Sequence, residues 1–108
     1  MENKTIISYT QRMRSAVDMR DHAEHTLKKA MVSLKYINID EQKYLQSLKH
    51  IERCKELVIS GNIILKSIRE TEHIGELYNE SFDDVMELFD SALREVQKVL
   101  VVVDGMRK

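Results

Sequence analysis

The sequence predicts an all-α protein, an antiparallel bundle of three long helices. Three observations carry this reading. Proline is absent and glycine occurs only three times in 108 residues, so few positions interrupt a helix. Charged residues make up 32% of the chain and aromatics 6%, a composition that suits amphipathic helices better than β-sheet. Apolar residues recur three and four positions apart over three long stretches, which is the helical period. The length suits one domain, residues 1–108.

The first helix is expected from about Ser8 to Tyr36. Met13, Ala16, Arg20, Ala23, Leu27, Ala30, Leu34 and Ile37 form a heptad-like seam, widened by Val17 and Met31. Alanine at several of these positions permits close approach by a neighbouring helix. Ser8 and Gln11 have the spacing of a capping box. His22 and His25 fall off the seam and are expected on the solvent face.

The link from Lys35 to Asp40 is short, so the second helix returns antiparallel. Asp40 suits the N-cap, and Glu41 suits the first turn. Tyr44, Leu48, Ile51, Cys54, Val58, Leu65 and Ile68 continue the apolar spacing. Ser60-Gly61-Asn62 is a candidate stop that would yield four helices rather than three. Ile51, Val58 and Leu65 nevertheless stay in phase across it, and a continuous helix to about Arg69 is expected.

Glu70 to Glu80 loses the period and reads as the second link. Ser81 with Asp84 gives another capping signal. Phe82, Val85, Met86, Phe89, Ala92, Leu93, Val96, Leu100 and Val103 then form one apolar stripe, with Gly105 beyond it. Ile59, Ile63, Val101 and Val102 add apolar surface outside these seams. A helix that is apolar on more than one side implies a further neighbour. Ile59 and Ile63 are therefore expected partner contacts, and a homodimer is expected.

Net charge is −1, which argues against a dedicated nucleic-acid binder. The charge is unevenly spread. Residues 70–108 carry ten Asp/Glu against four Lys/Arg, whereas residues 1–37 carry four against seven. Glu80, Asp83, Asp84 and Glu87 are the centre of an acidic run with no basic residue before Arg94. Such a run serves either as a solubilising face or as a docking surface for a basic partner. The apolar run Val99–Val103 is far shorter than a membrane span, and a lone cysteine needs no oxidising compartment. The chain reads as cytoplasmic and soluble, without a signal peptide.

No glycine-rich phosphate loop, Gly-x-Ser-x-Gly elbow or His-Glu-x-x-His pair is present, so no enzyme is expected. Cys54 sits on the core seam and reads as a small apolar residue. Glu70-x-x-His73 has the spacing of a di-iron carboxylate–histidine pair but no second copy to complete it. His25-Thr-Leu-Lys28-Lys29 resembles the phosphoacceptor stretch of histidine-phosphotransfer domains, with Lys29 where that family prefers a small residue. Glu52 and Glu56 are one helical turn apart on one face. They read either as a solvated pair relieved by Lys49, Arg53 and Lys55, or as oxygen ligands for a divalent metal. No other cofactor is expected.

The stretch DEQKYLQSLKHIERCKELVISGNIILKSI, residues 40–68, is similar to a recurring segment of PhoU-like proteins. These are regulators of phosphate transport and the cytoplasmic tails of sodium–phosphate cotransporters. The similarity lies in Ile51-Glu52-Arg53, then Glu56, then Asn62-Ile63, and it extends through SFDDVMELFDSALREVQKVL to about residue 100. It implies a helical bundle that signals through protein partners, with Glu52 and Glu56 as candidate metal ligands. It also implies one three-helix repeat where the family has two, which a homodimer would restore. The alternative is an unrelated small binding protein, a chaperone or inhibitor, that offers its acidic third helix to a basic partner.

Overall fold

A computed structural model describes the backbone of residues 2–71 and 76–106, and side-chain surroundings from Tyr9 to Glu70 and from Glu80 to Met106. The chain forms three helices: α1 (Glu2–Lys35), α2 (Glu41–Thr71) and α3 (Glu76–Met106). Among the described residues, only 36–40 lie outside them. The bundle measures 56 × 20 × 15 Å. Its long dimension matches a single helix of about 34 residues rising about 1.5 Å per residue.

The helices are longer than the capping signals suggest. α1 begins at Glu2, so Ser8 lies inside the helix and the Ser8–Gln11 pair does not start it. α3 begins at Glu76, which puts Ser81 in its second turn rather than at its cap. With no proline in either approach, the backbone stays helical upstream of those residues. α3 also runs through Gly105 to Met106. The second link is therefore shorter than the Glu70–Glu80 expected, and residues 72–75 lie outside the described residues.

The first link behaves as expected. Tyr36 N–H donates to the Ser33 carbonyl at 3.2 Å, closing α1 with a tight turn. Lys43 N–H donates to Asp40 Oδ1 at 2.8 Å, the N-cap bond that starts α2. Tyr44 N–H then donates to the Asp40 carbonyl at 3.0 Å, the first bond of the helical ladder.

The core is layered along the axis. Ala16, Ala23 and Ala30 of α1 are fully buried, with Leu34 nearly so. α2 contributes Ile51, Cys54, Val58, Leu65 and Ile68, and α3 contributes Phe82, Val85, Phe89, Ala92, Val96, Val99 and Val103. The two largest buried side chains, Phe82 and Phe89, both come from α3; Phe82 meets the Tyr9 ring edge-on at 5.7 Å between centroids, and Phe89 packs on Gly61 of α2. Burying each such aromatic contributes roughly 1.5–3 kcal/mol. α3 packs extensively against both neighbours, whereas α1 and α2 touch each other least.

Gly61 does not break α2. It is buried, and a Cβ placed there would lie 2.5 Å from Phe89 Cε1. Glycine is present because the Phe89 ring needs the space, not because the chain turns. Two details of the seams also differ from expectation. Met31 is 36% exposed and Tyr44 is 42% exposed, outside the core. Ser47 and Thr26 are buried instead, and Thr26 Oγ1 donates to the His22 carbonyl at 2.8 Å, one turn back. That internal bond lets a hydroxyl enter an apolar layer without an unmet partner.

Candidate functional site: the outward faces of α2 and α3

Leu45, Glu52, Glu56, Ile59, Ile63 and Lys66 recur at helical intervals on α2, on the side opposite Cys54, Val58 and Leu65. All six are exposed. Leu45 is 50%, Ile59 59% and Ile63 64% exposed. The same helix therefore carries an inner apolar seam packed into the core and an outer stripe in which exposed Leu45, Ile59 and Ile63 alternate with charged residues. Near its start the outer face forms a shallow open groove of about 480 Å³ lined by Leu45, Leu48, Lys49, Glu52, Arg53 and Glu56.

Glu52 and Glu56 share that groove, as their spacing predicts. Glu52 is bonded to Lys55 at 3.5 Å, and Lys49 and Arg53 line the same space. A hard divalent cation takes six to eight oxygens. Water can supply some of these, but Lys49, Arg53 and Lys55 beside the two carboxylates offset the negative charge that would hold the cation. Among the described residues, no group of three or more His, Cys, Asp or Glu side chains is placed to hold a metal ion. The residues present do not fit the metal that the PhoU-like resemblance implies. His73, the histidine of the Glu70-x-x-His73 pair, lies outside the described residues.

On α3, Glu80, Asp83, Asp84 and Glu87 are all exposed and share its outward face. The run is less unrelieved than it reads in sequence. Arg12 of α1 reaches Asp83 at 3.0 Å, and Arg94 reaches Asp90 at 2.8 Å. Val101 lies further along the same helix, 70% exposed. Its neighbour Val102 is half-buried.

Sequence reasoning missed a cluster between α2 and α3. His50 Nδ1 lies 2.6 Å from Glu95 Oε2. A carboxylate only accepts, so the Nδ1–H donates. That bond, aided by nearby Lys98, holds the Glu95 carboxyl below its usual range despite partial burial. Cys54 is one turn after His50 and fully buried. Burial, and secondarily the negative charge of Glu95, push its thiol pKa up to about 11. Cys54 is thus a protonated core residue and not a nucleophile. The only sequence hint was that His50 and Glu95 each flank an apolar seam. His22 and His25 are exposed on α1, as expected, and so is Lys29.

No family model matches the chain, and no curated protein or solved structure is significantly similar to it. No described helix is long and apolar enough to cross a membrane.

Proposed function

We propose that this chain is a non-enzymatic regulatory adaptor that acts through protein–protein contacts, in the manner of PhoU-like phosphate-signalling domains. The observation that supports this reading is the pair of isoleucines on the outer face of α2, Ile59 and Ile63, both more than half exposed. A bundle needs one apolar stripe per helix to close its core. A second stripe on the same helix is available to a partner. Among the described residues, Cys54 is buried and protonated, and Glu52, Asp83, Asp90 and Glu95 are each paired with a basic side chain.

The partner in this reading is protein, and the assembly is a homodimer that brings two three-helix units together. Neither a metal nor nucleic acid takes part. The compartment is the cytoplasm, where a reduced lone cysteine is ordinary. Native mass spectrometry of the full chain tests this directly. A metal-free dimer is expected. A monomer at every concentration would exclude the dimeric adaptor, and a bound divalent ion would exclude the metal-free one.

A second reading rests on a different observation, the four exposed acids on the outward face of α3. It makes the chain a chaperone- or inhibitor-like binder of basic segments. A decalysine peptide is the probe. Binding that falls with salt and disappears in E80Q/D83N/D84N/E87Q supports this reading. Binding unchanged by those substitutions rules the surface out.

A further inference from the structure

We infer that two copies of this chain pair antiparallel through α2, about a two-fold axis level with Gly61. The inference rests on the homodimeric reading above and specifies the surface and register that it leaves open.

The outer stripe of α2 around this point runs Glu56, Ile59, Ile63, Lys66, with every side chain exposed. These four residues are symmetric in kind about position 61. Ile59 and Ile63 are two residues on either side of it, and Glu56 and Lys66 are five residues on either side. A two-fold axis there sets Ile59 against Ile63 of the second copy, twice. It also sets Glu56 against Lys66 of the second copy, again twice. Each isoleucine then covers an isoleucine, and Glu56 and Lys66 meet as opposite charges, while the next layer out sets Glu52 against Glu70. The isologous arrangement of a C2 dimer requires this kind of self-complementarity. Within one chain, neither Glu56 nor Lys66 forms an ion pair among the described residues.

Other registers fail on the same residues. Parallel in-register pairing places Glu56 on Glu56 and Lys66 on Lys66. Sliding the antiparallel pair one heptad toward the N-terminus sets Ile59 against Glu56 and Ile63 against Glu52. A second heptad sets Glu52 against Glu56. Like charges at facing positions, or charge against isoleucine, disfavour each alternative. Of these registers, only the one centred on Gly61 satisfies both layers nearest the axis.

The inner side of the same turn supports the assignment. Phe89 of α3 packs on Gly61 from within, so the backbone beneath Ile59 and Ile63 is held by a buried aromatic. The face is therefore presented on a firmly packed segment rather than on a fraying helix end.

A charge-swap series read by sedimentation equilibrium tests the inference. Wild type is expected to dimerise reversibly. Glu56→Lys alone brings two lysine pairs together and is expected to weaken the dimer about tenfold, because symmetry counts the change twice. Lys66→Glu alone is expected to do the same. E56K/K66E restores the opposite pairing and is expected to return the affinity to near wild type. Ile63→Lys is expected to abolish dimerisation while leaving the helical circular dichroism unchanged, since residue 63 faces outward. A wild-type chain that stays monomeric overturns both the inference and the dimeric reading. A dimer indifferent to all of these substitutions overturns the inference alone. Failure of the double variant to rescue the single ones overturns the antiparallel register.

Discussion

The Phe89 ring fills the space that a side chain on Gly61 would need, with Cε1 only 2.5 Å from the ideal Cβ position. Each residue explains the other. The glycine sits in mid-helix at a cost of about 1 kcal/mol in propensity, and the aromatic ring packs directly on the helix backbone in return. Gly61→Ala is expected to destabilise the fold by about 1–2 kcal/mol, overpacking outweighing the propensity gain. Urea denaturation measures it. Phe89→Leu in the Gly61→Ala background is expected to cost less than Phe89→Leu alone. A Gly61→Ala protein more stable than wild type would contradict the close approach.

The His50–Glu95 bond gives an acid-side pH dependence. Glu95 ionises more readily in the folded chain than its ordinary value of 4.5. Its stabilising contribution is complete above that value and is lost as pH falls through the lower folded value. Glu95→Gln is expected to flatten the acid limb of stability, measured as urea midpoints between about pH 6 and pH 3. Equal slopes for wild type and variant would show that the bond does not form.

Cys54 acts at the opposite end of the pH scale. The unfolded thiol loses its proton near 9.0, whereas the folded one holds it to about 11. Between those values the unfolded chain releases a proton that the folded chain keeps, so stability falls as pH rises through the window. Cys54→Ala is expected to remove that fall. In native buffer near neutral pH, a thiol-reactive disulfide reagent is expected to label Cys54 only as fast as the chain unfolds. Labelling at the rate of a free thiol would place the cysteine outside the core.

Glu52 and Glu56 provide the test for metal. Magnesium or manganese is expected to leave the melting temperature of wild type and of E52Q/E56Q within about one degree of their metal-free values, since a ligand that does not bind does not stabilise. A rise in wild type that the double variant loses would restore the metal reading.

The period of the apolar residues made the helices and most of the core legible. Ala16, Val58 and Phe89 all fall where their spacing put them. Helix ends were less legible. Ser8 and Ser81 carry capping signals, yet each lies inside a helix, because a cap is an option that a chain without proline need not take. Gly61 was a candidate stop in sequence, and the unbroken phase of Ile51, Val58 and Leu65 argued for the continuous helix that is found, but no local signal marks it as the seat of a ring. His50–Glu95 and Arg12–Asp83 depend on the relative registers of different helices, which no local pattern encodes. The exposed isoleucines were the opposite case. Ile59 and Ile63 fall out of phase with the inner seam, and that alone assigned them outward.

The orientation of α2 against its second copy can be read as a distance. In a Cys54→Ala background, Ser60→Cys carries a nitroxide one residue from the proposed two-fold axis, and Gln42→Cys carries one near the start of the helix. Pulsed dipolar spectroscopy of the dimer is expected to give a separation below about 25 Å for labels at 60. Labels at 42, each about 19 residues from the axis, are expected more than about 50 Å apart at about 1.5 Å per residue. Short distances at both positions would mean a parallel pair. The absence of any short distance at 60 would mean that the copies do not meet at the Ile59–Ile63 face.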